Sequence, residues 1–452
     1  MIAQISNMAG RLRKGLIGLG FAVLALPLGA LPVWAEAEIQ VVTSPGGITA
    51  WLVEDHGIAF TALSARFQGG TSLDAADKRG ATNLMTALIE EGAGDLDAQG
   101  FAAARDGLAA EFNFGSDLDG VSVRARFLTE NRGASVDLLR QALISPRFDA
   151  DAVERVRGQV LANLRSEAKD PGAIAGNAMW ARMFPGHVYG MPADGTEATV
   201  AALTRDDIVA AHRGALARDR MVVAAAGDIS AAELGVLLDR LLGDLPATGA
   251  ALPGRAEVKA TEGLAVQEFP GPQATVAFAA PGIRFDDPDY FAAVVMNEVL
   301  GGDRFGSRLM DALREKRGLT YGARSSLAAF DQGEMISGSF ATGVATAGEA
   351  VEVLRAEWAR MADTGITEEE LATAKRYLTG SYPLRFDGNG AIAGIMVGMQ
   401  SLGLSPEYPK TRNALVEAVT LDDVARVAKR LLDPGRLFVM VVGQGTGLQA
   451  TE

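Results

Sequence analysis

The sequence predicts an α+β protein made of two similar halves, each a mainly antiparallel sheet with helices packed on it. Three observations carry this reading. A chain of 452 residues that is 48% hydrophobic can bury a large core and divides into at least two domains. Short strand-like runs are mixed with long helical ones, the pattern of helices layered on largely antiparallel sheets. The third observation is an internal repeat. Thr204 to Gly227 reads TRDDIVAAHRGALARDRMVVAAAG and Thr420 to Gly443 reads TLDDVARVAKRLLDPGRLFVMVVG, 216 residues apart without a gap. The string GAIAG also occurs twice, at Gly172–Gly176 and Gly390–Gly394. Two collinear matches at nearly one offset make the chain a duplication.

Residues 1–35 read as a signal peptide. Arg11, Arg13 and Lys14 precede the apolar run GLIGLGFAVLALPLGALPVWA, which ends in small residues, so the mature chain is expected to begin near Glu36. Pro27, Pro32 and the acidic sequence that follows favour cleavage over an uncleaved anchor. The signal implies export, and a bacterial periplasm is the expected compartment. No later apolar run is long enough to cross a bilayer, so no membrane is expected to hold the mature form. The absence of cysteine excludes disulfides and thiolate metal sites together. A formal charge of −14 speaks against nucleic acid, which needs clustered Lys and Arg.

The first domain is expected over 36–244. It opens with strands in GITAWLVED and AFTALSARFQGG. In RGATNLMTALIEEGAG, Leu84, Met85, Leu88 and Ile89 form an apolar stripe at helical spacing, with Gly92 placed to cap. EFNFGSD and GVSVRARFL flank Asp119-Gly120 as a hairpin. A long helix spans about Asp151–Glu167, and the repeated helix–strand unit closes the half. LPATGAALPGRAEVKATEG, Leu245 to Gly263, has no periodicity and reads as a linker. The second domain, 264–452, has a strand in ATVAFAAPG, a long helix near Glu368–Leu378 and the second copy of the unit.

Reactive side chains are sparse. The histidines, His56, His187 and His212, are 131 and 25 residues apart, so none pairs with another on a helix face. His187, in FPGHVYGMP, reads as a loop histidine bonding its own backbone. Glu90, Glu91, Asp95 and Asp97, like Asp117 and Asp119, lack the register of a calcium loop and read as solvated helix-end and turn residues. LREKRGLTYG sets Arg314 and Tyr321 across a helix end. That helix starts near Asp303 or Ser307, turns Leu309, Met310 and Leu313 inward, and stops at Gly318 in a left-handed cap; Leu319-Thr320-Tyr321 then begins a strand. Arg314 in the last turn complements the helix dipole. By spacing alone, such a pair is a surface charge and a half-buried aromatic.

Three stretches of the second half change that. RFGSRLMDALREKRGLTYGARSSL, AKRYLTGSYPLRFDGNGAIAGIMVGMQSLGL and VTLDDVARVAKRLLDPGRLFVMVVG resemble, motif after motif, the C-terminal half of the M16 peptidases. These are the inverzincins of the pitrilysin and mitochondrial-processing-peptidase group, and the resemblance spans nearly the whole mature chain. It implies two LuxS/MPP-like domains and, in an active member, a helix bearing His-x-x-Glu-His. Here the matching helix carries Asn83 and Ala87 at the two histidine positions and Thr86 at the position of the general-base glutamate. The third ligand position falls near Ala162 or Asn163. An amide is a poor zinc donor and a methyl is none, so this chain is expected to bind no zinc or other cofactor.

Arg314 and Tyr321 fall on an arginine and a tyrosine that the family uses to grip the substrate carbonyl. The resemblance thus implies a divided enzyme: a non-metal subunit that supplies these donors to a homologous partner with intact His-x-x-Glu-His and its zinc, the pair enclosing peptide substrates. Gly301-Gly302 in LGGDRFGS reads equally as a place for close approach of a peptide backbone and as a tight loop at a helix start. Other implied outcomes are a structural core subunit, a peptide-binding factor without hydrolysis, and an independent peptidase with an unusual metal site.

Overall fold

The fold is given by a computed structural model that describes residues 38–260, 262–302, 304, 306–445 and 447–451. The expected signal segment and its cleavage site lie outside these residues. Strands β1 (Gln40–Thr43), β2 (Thr49–Glu54), β3 (Phe60–Gln68), β4 (Gly92–Ala93), β5 (Leu96–Asp97), β6 (Glu111–Ser116), β7 (Gly120–Leu128) and β8 (Met221–Gly227) belong to the first half. Strands β9 (Gly263–Gln267), β10 (Gln273–Pro281), β11 (Ala323–Phe330), β12 (Gly333–Gly343) and β13 (Phe438–Val442) belong to the second. The first sheet runs β1-β2-β8-β3-β7-β6 and the second β11-β12-β10-β13-β9; β4 and β5 form a small separate ribbon.

The duplication is legible in this topology. Without β1, the first sheet reads β2-β8-β3-β7-β6, and the second, taken from its other edge, reads β9-β13-β10-β12-β11. Each has one parallel pair, β2 with β8 and β13 with β9, and is otherwise antiparallel. The repeated sequence supplies the same device twice. Thr204 and Asp207 form a capping box on helix Arg205–Ala215, and Thr420 and Asp423 do so on helix Leu421–Leu431. In each box the hydroxyl accepts from the third helical N–H while the aspartate reaches back, so two orphan donors are satisfied at once. The strand that follows ends at Gly227 with φ of 120°. A Cβ there would lie 2.3 Å from the Phe60 carbonyl oxygen, so only glycine fits.

One face of each sheet packs against helices of its own half. In the first, Leu63, Phe67 and Val121 meet Leu84, Met85 and Leu88 of helix Ala81–Leu88 and Val153 and Val156 of helix Ala150–Glu167. The opposite faces are covered by exchange. Helix Pro171–Met183, of the first half, lays Ala175, Met179 and Met183 on Ala277, Ala279 and Met440 of the second sheet. Helix Asn389–Ser401, of the second half, lays Ile392, Ala393 and Met396 on Ala62, Ala224 and Ala226 of the first. The GAIAG repeat therefore marks the two crossing helices. The small side chains on the sheets let each helix approach, and the shared cores bind the halves together.

One local expectation is corrected. Helix 81–88 ends four residues before Gly92, which does not cap it. With φ of 113°, Gly92 opens the β4–β5 ribbon instead, pairing with Asp97. The segment 246–262 carries no helix or strand among its described residues and is tied down by backbone hydrogen bonds. Ala256 N–H donates to the Gln332 carbonyl (2.7 Å), Lys259 N–H to that of Met183 (3.1 Å), and Arg218 N–H to that of Pro246 (2.9 Å).

Candidate functional site

Helix Tyr290–Gly301 runs along β11 at the edge of the second sheet and turns its apolar side, Val295, Met296 and Val299, into the core. Asn297 locks it to the strand: its Nδ2 donates to the Ser325 carbonyl (3.1 Å), and Ser325 Oγ donates to Asn297 Oδ1 (2.8 Å). Gly301 and Gly302 end this helix and do not start another. A Cβ on Gly301 would lie 2.5 Å from Ser325 Oγ, so that glycine is required by helix–strand packing. Gly302 follows as the cap and lines open space.

The chain then enters the segment that carries Arg314. It is wound as a π-helix over Met310–Glu315, with Leu309, Met310 and Leu313 buried. Such wide turns are rare and concentrate at functional positions. The Gly318 N–H closes on the Arg314 carbonyl (2.8 Å) and the Leu319 N–H on that of Leu313 (2.8 Å). Gly318, at φ of 64°, is the left-handed cap. The strand begins at Ala323, later than the Leu319 expected, because Thr320 folds the chain into a turn first. Its Oγ1 donates to the Gly322 carbonyl (3.0 Å) and accepts from the Gly322 N–H (3.2 Å). That turn throws Tyr321 outward, 89% exposed, the most exposed of the large hydrophobic side chains among the described residues. Arg314 is half-buried in the preceding helical turn, its Nε 3.6 Å from Glu315 Oε1.

The positions that resemble a zinc site do not fit a metal. On helix 81–88, Thr86 is buried with its Oγ1 bonded to the Asn83 carbonyl (2.9 Å), and Ala87 turns its methyl to solvent. Ala162 and Asn163 are exposed on helix 150–167. Among the described residues no group of three or more His, Cys, Asp or Glu could hold a metal ion. The histidines are dispersed. His56 Nδ1 sits 2.6 Å from Asp228, and His212 is buried, which pushes its pKa down to about 4, with Nε2 on the Leu143 carbonyl (2.9 Å). His187 accepts from the Tyr189 N–H (3.2 Å), a backbone bond within its own loop. Glu90 pairs with Arg105, and Glu91 with Arg155.

Two features were not found from the sequence. The first joins the halves at their equivalent hairpin turns. Asp119, 7% exposed, accepts from the Tyr189 hydroxyl and from the Asp331 N–H (3.0 Å), while the Tyr189 oxygen accepts from the Gln332 N–H (3.0 Å). Burial pushes the Asp119 carboxyl up to about 6, with the charges of Asp331 and Asp117 adding. Asp117 is held separately by Arg66 in a two-pronged pair (2.7 and 2.8 Å). The second is a cavity of about 640 Å³ on the second sheet, between the crossing helix 171–183 and β11. Gly172, Gly176, Gly302, Arg324, Ser326 and Ser339 are among its lining residues. A smaller cavity of about 210 Å³ joins Gly302, Tyr321 and Arg324. The alternation of β11 was the available signal, since it sets Arg324 and Ser326 on one face.

A two-halved protein with exchanged helices, an exposed tyrosine after a capped arginine helix and no metal-ligand set among the described residues is the class this geometry defines. Comparison with known proteins places that class. Residues 202–378 match the profile of the Peptidase M16 inactive domain. The chain is 26% identical over 372 residues to the non-peptidase homolog YmxG of Helicobacter pylori, covering 82% of this chain and 86% of that one. It is 27% identical over 367 residues to an uncharacterized zinc protease of Streptomyces coelicolor, covering 78% of each. A crystal structure of a peptidase M16 inactive domain from Pseudomonas fluorescens superposes with a TM-score of 0.84 at 28% identity, covering 90% of this chain and 98% of that one. Along most of its length the chain is similar to M16 proteins, and residues 202–378 match their inactive domain.

Proposed function

We propose that this chain is the non-metal subunit of an exported, periplasmic two-chain M16 peptidase, and that Arg314 and Tyr321 are its contribution to the reaction. The observation that carries the reading is the built presentation of Tyr321. A glycine-capped helix end and a threonine-closed turn hold a tyrosine almost wholly in solvent, seven residues after an arginine, on a chain whose own zinc positions are Asn83, Thr86 and Ala87.

The chemistry suits such donors. When a peptide carbonyl is attacked, negative charge gathers on its oxygen, and hydrogen-bond donors aimed there lower the barrier. Arginine stays charged at any working pH and a tyrosine hydroxyl is directional, so neither has to exchange a proton to serve. Metal and general base belong to the homologous partner that carries His-x-x-Glu-His, and the peptide lies between the two chains. The name of the Helicobacter relative, a non-peptidase homolog, favours a second reading in which the chain binds peptides or holds an assembly together without taking part in cleavage.

The two readings separate on one experiment. The chain from Glu36 is combined with an M16 subunit of the same cell that has the intact motif, and peptide turnover is compared for wild type, Arg314→Ala and Tyr321→Phe. Loss of one such donor typically costs about 10²–10³ in rate. A loss of that order with the complex still assembled supports the divided enzyme; unchanged turnover in both variants leaves the non-catalytic reading.

A further inference from the structure

Most arginines of this acidic chain are engaged by acids, as Arg66 is by Asp117 and Arg308 by Glu370. Arg324 is not. It stands exposed at the start of β11, three residues after Tyr321, and no described residue gives its guanidinium a hydrogen bond or an ion pair. It lines both the 640 Å³ cavity and the 210 Å³ cavity that contains Tyr321. Its surroundings are donor-rich. Arg324 lies opposite Ser339, and Ser326 opposite Ser337, in the β11–β12 register, so the four side chains share one face as direct cross-strand neighbours. The hydroxyls of Ser326, Ser337 and Ser339 also have no partner among the described residues. Among the described residues one acid lines the cavity, Glu298, and the Arg304 Nε stands 3.2 Å from its Oε1. Across the space, Gly172 and Gly176 of the crossing helix present no side chain.

We propose that Arg324, with the serines beside it, is a specificity site for an acidic side chain of an extended peptide lying next to Tyr321. The proposal rests on the reading above, in which Tyr321 faces the bound peptide. A guanidinium offers a fixed fork of N–H donors that matches a carboxylate in two-pronged fashion, and free hydroxyls can complete its shell. An arginine already paired would lose one partner to gain another; Arg324 has none to lose among the described residues. A basic side chain at the same place meets like charge, and an amide offers one uncharged acceptor oxygen where a carboxylate offers two that share a negative charge. The preference therefore orders acid over amide over base.

The probe is a fluorescein-labelled Ala/Ser/Leu peptide of about ten residues with one central Glu, and its Gln twin, titrated against the chain from Glu36 and followed by anisotropy. For a solvent-exposed charged pair the Glu peptide should bind about three- to tenfold more tightly at low salt, the gap narrowing as salt rises. Arg324→Gln should remove the gap, Arg324→Lys retain part of it, and Arg324→Glu reverse it. Equal affinity of the two peptides, a gap that survives Arg324→Gln, or no binding of either peptide overturns the proposal. None of these readouts depends on turnover, so the catalytic role of Arg314 and Tyr321 stands or falls separately.

Discussion

Replacing Asp119 by asparagine should flatten a specific part of the stability-versus-pH curve. The carboxyl is buried at the junction of the two halves, with Tyr189, Asp331 and Gln332 around it, Asp117 with its Arg66 nearby, and the His187 ring stacked edge-on against Tyr189. Its pKa is pushed up to about 6, whereas the unfolded chain titrates near 3.8. The folded state thus holds this proton more tightly than the unfolded one. The sign follows: the contribution is favourable below the unfolded value, shrinks as pH rises from about 4 to 6, and is gone above that. At 1.36 kcal/mol per unit, the drop is about 3 kcal/mol across that window. The substituted amide would carry no proton to lose. It can accept from Tyr189 but cannot also accept from the Asp331 N–H, a loss of about 1 kcal/mol that does not vary with pH. Urea unfolding of both proteins at steps from pH 4 to 7.5 gives the difference curve, in which every other titrating group cancels. The stability of Asp119→Asn relative to wild type should rise by about 3 kcal/mol between pH 4 and 7. A difference that stays constant with pH would refute the assignment of a buried, titrating carboxyl at this junction.

Three further outcomes test the architecture. Gly227→Ala should lose at least about 2–3 kcal/mol, since φ of 120° strains any L side chain and the methyl strikes the Phe60 carbonyl; thermal unfolding checks it. Thr204→Ala and Thr420→Ala should each cost about 1 kcal/mol in denaturant midpoints, and by similar amounts, because the two capping boxes are copies. Met396→Ala on the helix that crosses to the first sheet should cost about 2–5 kcal/mol, and Met179→Ala on its counterpart a similar amount, both read by calorimetry.

Much of this fold was readable from local chemistry. Thr204 and Thr420, each with an aspartate three residues on, announce helix starts, and the apolar runs after them announce buried strands. The stop at Gly318 was legible because a left-handed cap needs a glycine wherever it occurs. What escaped depended on parts of the chain far apart in sequence. Periodicity shows that Ile392 and Met396 share an apolar face but not that the face belongs on the other half's sheet. The alanines that receive it, Ala62, Ala224 and Ala226, look like any others. Asp119 read as half of a solvated acidic pair because Tyr189, which buries it, lies 70 residues away. Nothing in the sequence marks Arg324, because its surroundings are built from a helix end, a turn and a neighbouring strand. The zinc positions were the opposite case. Side-chain chemistry alone decided them, because neither the Asn83 amide nor the Ala87 methyl offers a metal the donor it needs.

The most direct test is peptide turnover by the purified chain alone, then with a zinc-bearing M16 subunit added in equal amount, with zinc measured in each sample. No zinc and no cleavage are expected for the chain alone, cleavage on mixing, and a fall of about 10²–10³ when Arg314→Ala or Tyr321→Phe replaces wild type in the mixture. Stoichiometric zinc and cleavage by the chain on its own would contradict the divided enzyme.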